Sequence, residues 1–236
     1  EEISQGAGRI AGHLGLDNLI MFYDSNDIQL STECADVMTE NTEMKYRSWG
    51  WHVITINGND CEQIRKALDE AKEVKGQPTL IIGKCVMGKG ALKADGSSYE
   101  RNCKTHGAPL GGDAFKNTVA NLGGDPENPF VIFDEVKALY AKREEELKAI
   151  VAARHEGEAA WAAANPEKAA AQAEWFSGAA PKVDWSLVQQ KAGDATRNAS
   201  AAVLSQLAQQ VPTMICSSAA LCNSDKTDGF LNMTTS

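Results

Sequence analysis

Between Leu19 and Leu30 the chain reads LIMFYDSNDIQL. An unbroken apolar run, Leu19 to Tyr23, meets Asp24, Ser25, Asn26 and Asp27 with no glycine among them, then turns apolar again at Ile28. Oxygen-rich clusters of this kind suit hard cations, and Mg²⁺ in particular takes few protein ligands and completes its shell with substrate phosphates. Asn26 offers a neutral side-chain oxygen, the Ile28 carbonyl a backbone oxygen two residues on, and Asp24 and Asp27 are nearby carboxylates. The same residue types are also the ordinary material of a strand-ending turn. On local chemistry alone the turn is the simpler reading.

Other residues suggest other chemistry. His106 sits in THGAPL, after a glycine-rich stretch from Met87 to Ser98. A lone histidine is usually structural or simply exposed, but one in a glycine-flanked loop is suited to acid–base work near neutral pH. Arg197 opens a predicted helix, where an arginine beside a helix N-terminus can hold a phosphate. Ser218 and Ser224 flank a predicted strand end and read as turn residues. The GKG at Gly88–Gly90 does not match GxxxxGK[ST], so no nucleotide P-loop is supported. On spacing alone, Met87–Ser98 is a mobile surface loop before it is a lid over a phosphorylated ligand. No Ser/His/Asp or Cys/His pairing can be argued by spacing. The six cysteines form no CxxC pair and do not cluster with the four histidines, which excludes an evident zinc site and fits a reducing cytoplasm.

These residues need elements to position them. Ile3, Ala7, Ile10, Ala11 and Leu14 recur at helical spacing, with Gly15 as a stop. Leu19–Tyr23, His52–Ile56 and Thr79–Ile82 are short apolar strands. Between them lie a helix over Asn41–Trp49 and one over Cys61–Val74, the latter with Asn59 and Glu62 at capping-box spacing. Short apolar strands separated by helices predict a parallel sheet covered on both faces, whose ligands sit at the carboxyl ends of the strands. The DSND cluster and the Met87 loop both lie at such ends. A long helix is predicted over Phe130–Val151, with Lys142–Glu146 as a solvated face. An alanine-rich stretch over Glu156–Phe176 follows, restarted by Pro166 and anchored by Trp161, Trp175 and Phe176. Gly178–Lys182 reads as a linker. A helix over Ala195–Gln210 then leads, past Pro212, to a strand opening at Thr213–Cys216.

The 236 residues are 43% hydrophobic, enough for a real core, and the formal charge of −9 excludes a nucleic-acid-binding surface built on clustered Lys and Arg. No apolar run approaches a membrane span. Glu1 and Glu2 stand where a leader's basic residues would, so no secretory leader is expected. The opening helix already in progress and the lack of a closing element at DGFLNMTTS make the chain look like an internal piece of something longer.

Taken together, EEIS, AGHLGLDNLIMFYDSNDIQL, YRSWGWHVITINGND, PTLIIGKCVMGKG, THGAPL, ATRNAS and SSAALCNSDKT, in this order and spacing, resemble the transketolases along essentially the whole chain. The resemblance implies an α/β fold with a parallel sheet flanked by helices. It implies a partial diphosphate-binding domain over 1–128, a helical linker over 129–194 and the beginning of a pyrimidine-binding domain over 195–236. It implies thiamine diphosphate as cofactor, held through Mg²⁺ (or Ca²⁺ or Mn²⁺). Asn26 and the Ile28 carbonyl match metal ligands, and Leu30 matches an apolar cofactor contact. Glu1 matches a glutamate near the cofactor and the subunit interface, and Met87 and Gly88 match a loop over the diphosphate. His106 matches a residue that touches diphosphate and substrate and moves protons. Arg197 and Ser224 match sugar-phosphate ligands. The implied activity is transfer of a two-carbon ketol unit between sugar phosphates in the pentose phosphate pathway, by a cytoplasmic homodimer.

The departures matter too. The family's cofactor motif begins with GDG and its metal-binding Asp, and no GDG occurs in this chain. Ala220 stands in place of an Asp and Gly6 in place of a common Glu. The polypeptide alone is therefore expected to be inactive. Two alternatives stand beside this reading: a non-catalytic fragment acting only in subunit association, and a related thiamine enzyme such as a phosphoketolase or deoxyxylulose-phosphate synthase. THGAPL with ATRNAS favours transketolase.

Overall fold

The computed structural model describes residues 2–234, the side chains of Glu2 and Ile3 excepted; Glu1 lies outside the described residues. The chain divides into two compact units, Glu1–Phe133 and Asp134–Ser236.

The first unit is built on three parallel strands, β1 (Ile20–Ser25), β2 (His52–Asn57) and β3 (Thr79–Lys84), in the order β1-β3-β2. β3 is central. Ile20 pairs with Thr79 and Ser25 with Lys84 on one side, and His52 with Thr79 and Asn57 with Lys84 on the other, so all three strands end level. The central strand is buried from Thr79 to Gly83, as expected where both faces are covered. On one face Val53, Leu80 and Ile82 pack with Ala11 of helix α1 (Glu2–His13) and with Trp51; Tyr46 of helix α2 (Thr42–Ser48) packs against them. On the other, Ile81 packs with Ala67 and Ala71 of helix α3 (Cys61–Glu73), flanked by Ile20, Ile54 and Ile56.

Two local expectations change. In α1 the sequence pattern puts Ile10 and Leu14 on the buried face, yet they are 57% and 62% exposed. The helix seats itself through Gly8, Ala11 and Gly12. A Cβ on Gly12 would overlap the Trp49 carbonyl, and one on Gly8 would lie 3.0 Å from the Trp49 ring. Trp51 Nε1 donates to the Gly8 carbonyl at 2.8 Å, a contact open only to a helix face of small residues. The cap of α3 is Asp60 rather than Asn59: Asp60 Oδ1 accepts from the amides of Glu62 (2.9 Å) and Gln63 (3.1 Å). Asn59 is engaged elsewhere.

After β3 the chain from Met87 to Arg101 is not irregular. Tyr99 N donates to Ala91 O and Lys93 N to Ser97 O, each at 2.8 Å, around a turn at Asp95–Gly96. This small hairpin docks on helix α4 (Gly112–Asn121): Leu92 N donates to Thr118 Oγ1 at 2.9 Å and Asn121 Nδ2 to Gly90 O at 2.9 Å.

The described part of the second unit is helical: α5 (Asp134–Ala164), α6 (Pro166–Phe176), α7 (Thr196–Gln210), α8 (Cys222–Asp225) and α9 (Asp228–Thr234). Pro166 opens α6 at its first turn, as expected. The long helix starts at Asp134 rather than Phe130. Trp175 and Phe176 are 52% and 84% exposed, so they do not act as the packing anchors expected of them. The unit's packing lies between α7 and α9. There Phe230 is buried and Ser205 Oγ donates to Ala201 O (2.9 Å) or to Gly229 O (2.8 Å). The strand expected at Thr213–Cys216 is not formed, and Ile215 is 90% exposed. A strand satisfies its backbone only against another strand, and the described residues of this unit contain none.

Candidate functional site

At the carboxyl end of β1 the chain turns at once. Asn26 Oδ1 accepts a hydrogen bond from the Ile28 amide at 3.0 Å, closing an Asx turn. Asp27 sits in the left-handed region, φ 66°, which short polar residues tolerate. Ile28 then faces Glu33 in an antiparallel bridge. The bonds of that pair run from Gln29 N to Thr32 O (3.0 Å) and from Cys34 N to Asp27 O (2.8 Å). Ile28 and Glu33 are therefore a non-hydrogen-bonded pair, and the Ile28 carbonyl points out of the hairpin. It accepts no hydrogen bond among the described residues. The turn and the oxygen-donor readings of DSND thus coexist: the turn holds Asn26 half-buried and leaves the Ile28 carbonyl open. Leu30, at the tip, is exposed.

β3 ends beside β1, and Cys85 N donates to Ser25 O at 3.2 Å, extending the ladder by one rung. Three residues later Gly88 takes φ 61°. A Cβ there would lie 3.0 Å from Thr105 Oγ1, so the Met87–Gly88 turn and the segment before His106 touch. His106 closes a 3-10 turn over Cys103–Thr105, its amide donating to Cys103 O at 3.0 Å, and its side chain is exposed.

On the α1–α2 face of the same sheet edge lies a cavity of about 390 Å³, lined by Tyr23, Ser25, Glu43, Thr55 and Lys84 among others. Lys84 Nζ donates to the buried Ser25 Oγ at 2.9 Å. Burial pushes the Tyr23 hydroxyl above its ordinary value, with Cys34, Asp27 and Asp24 adding to the effect against a hydrogen bond to Ser25. Burial, then a hydrogen bond to Asp24, raises the Cys85 thiol. Sequence reasoning missed Ser25 and Lys84, because 59 residues separate them and only strand register brings them together.

In the second unit Arg197 is exposed in the first turn of α7 and makes no ion pair among the described residues. Ser224 lies in α8 and is exposed, its amide donating to Leu221 O at 2.7 Å. Ala220 has φ 69°, a conformation in which Asp is more at home than Ala. Among the described residues no three His, Cys, Asp or Glu side chains group as a metal site, and no helix is long and apolar enough to cross a membrane. The six cysteines are unpaired.

Comparison with known proteins agrees with this layout. Residues 1–181 match the family model described as transketolase, thiamine diphosphate binding domain. Chloroplastic transketolase-1 of Arabidopsis thaliana is 36% identical over 234 residues, covering 96% of this chain and 31% of the relative. The solved transketolase of Leishmania mexicana superposes with a TM-score of 0.85 at 34% identity, covering 96% of this chain and 33% of that one. A Pichia stipitis transketolase in complex with sedoheptulose 7-phosphate gives 0.83 at 33%, with 96% and 34% covered. The chain spans about a third of the length of the relatives it matches. With its parallel sheet and its loops gathered at the strands' carboxyl edge, the chain belongs to the transketolase thiamine diphosphate binding domain family.

Proposed function

We propose that this chain is the diphosphate-binding part of a transketolase, a transferase that moves a two-carbon ketol unit from a ketose phosphate to an aldose phosphate in the pentose phosphate pathway. The observation that carries the reading is the outward Ile28 carbonyl beside Asn26, at the end of a strand whose neighbour leads into the Met87–Gly88 turn.

The donor set fits a Mg²⁺–diphosphate. Asn26 Oδ1 keeps one lone pair after accepting from Ile28 N, and the Ile28 carbonyl has no donor among the described residues. Both oxygens are neutral, so a cation held there retains charge to neutralise a diphosphate. Ca²⁺ or Mn²⁺ would suit the same oxygens. When bound, the thiazolium supplies the electron sink for the carbanion chemistry. Met87 and Gly88 would bind the diphosphate, and Leu30 would cover apolar cofactor surface. Glu1 would lie near the cofactor at a subunit interface. His106, an exposed imidazole, would hold or move a proton at its ring nitrogen while touching substrate. Arg197 and Ser224 would bind the sugar phosphate. We assign 1–128 to the diphosphate-binding domain, 129–194 to a helical linker and 195–236 to the beginning of the pyrimidine-binding domain. The active assembly is a homodimer, and the unpaired thiols support a cytoplasmic location.

The chain by itself is expected not to turn over, because it has no GDG and carries Ala220 where the family has Asp. Ketol transfer is assayed with thiamine diphosphate, Mg²⁺ and sugar phosphates, with and without a second polypeptide carrying the GDG segment. Activity only in the mixture supports the proposal. Turnover by the chain alone contradicts the expected inactivity, and none in the mixture contradicts the assignment.

A further inference from the structure

We propose that Asn59 is a positioning residue for the diphosphate turn, an inference that rests on the reading of Met87 and Gly88 given above. Asn59 lies in the β2–α3 turn, outside every residue so far assigned a role. Its own backbone is fixed from both sides. Asn57 Oδ1 accepts from the Asn59 amide at 3.0 Å, and the Gly58 amide donates to Lys84 O at 3.0 Å. Gly58 has no room for a Cβ, which would strike Cys85 Sγ and come within 2.9 Å of the Gly83 backbone. This close approach lets the Asn59 side chain reach across to the next strand's exit.

There Asn59 Oδ1 accepts from the half-buried Val86 amide at 3.0 Å. Val86 is the residue immediately before Met87. Farther along the turn, Arg101 N donates to Met87 O at 2.9 Å, Thr105 Oγ1 abuts Gly88, and Glu100 Oε1 accepts from the Gly90 amide at 2.7 Å. Asn59 supplies the side-chain oxygen that ties the leading amide of the turn to the sheet. Removing it leaves a half-buried N–H without its acceptor, and the turn moves to find another. Supporting partners of this kind govern ligand affinity without touching the ligand.

The test compares Asn59→Ala, Asn59→Asp and Asp60→Ala with the unaltered chain, reading amide exchange at Val86–Gly88 and titrating thiamine diphosphate with Mg²⁺ by calorimetry. Asn59→Ala should exchange faster at Val86 and bind about tenfold more weakly. Asn59→Asp keeps the acceptor and should restore the slow exchange. Asp60→Ala loses the α3 cap next door and should lower Tm while leaving Val86 exchange and affinity unchanged, which a merely structural role for the loop would not do. Unchanged Val86 exchange in Asn59→Ala overturns the proposal, as does a loss of affinity no greater than that of Asp60→Ala. Failure of the unaltered chain to bind cofactor would overturn the functional reading instead, with Val86 exchange still deciding whether Asn59 fixes the turn.

Discussion

Asn26 and Ile28 are joined by a 3.0 Å hydrogen bond from the Ile28 amide to the Asn26 side-chain oxygen, and the same turn leaves the Ile28 carbonyl without a donor among the described residues. The residue between them, Asp27, carries the conformational burden with φ 66°.

That burden is measurable. Replacing Asp27 with Gly should be neutral or stabilising. Replacing it with Val should destabilise the chain by about 1–2 kcal/mol relative to the Gly variant, the cost of forcing a branched side chain into the left-handed region. Urea unfolding of the two variants checks this. Equal midpoints would show that the turn is not held as described.

The α3 cap makes a pH prediction. Hydrogen bonds from the Gln63 amide first, and from Glu62, hold the Asp60 carboxyl below the ordinary carboxylate range. A carboxyl lowered in the folded state stabilises the fold fully above its unfolded pKa, about 4, and loses that contribution as pH falls through the lower folded value. Asp60→Asn should therefore flatten the acid side of the Tm–pH curve, and Asp60→Ala should lower Tm by a few degrees near neutral pH. A Tm that is unchanged in Asp60→Ala would contradict the cap.

Gly12 is where α1 meets Trp49. A methyl group there overlaps the Trp49 carbonyl, so Gly12→Ala should lose stability at the upper end of the roughly 1–3 kcal/mol usual for overpacking. Gly6→Ala on the same helix meets nothing within 4 Å and should gain slightly from helix propensity. Thermal unfolding of the pair separates packing from propensity.

The parallel sheet was legible because its strands are short apolar runs punctuated by glycine, and β3 is buried along nearly its whole length. The α1 interface was not, because periodicity marks large apolar residues and this interface is made of glycines. The strand expected at Thr213–Cys216 failed because a strand signal says nothing of whether a partner is present. Asn59 was read as a cap from its spacing to Glu62, but one residue's shift gives the cap to Asp60 and frees Asn59 to reach Val86. At the candidate site the residue types alone favoured a turn over a set of oxygen donors, and the structure holds both at once. Only backbone geometry separates the carbonyl that faces outward from those consumed by the hairpin.

The most direct measurement is calorimetric titration of the chain with thiamine diphosphate in the presence of Mg²⁺, in EDTA, and in Asn26→Ala. Binding is expected in the micromolar to millimolar range with Mg²⁺, abolished by EDTA and severely weakened by Asn26→Ala. Equal binding in EDTA, an Asn26→Ala variant as tight as the unaltered chain, or no binding with Mg²⁺ would contradict that expectation.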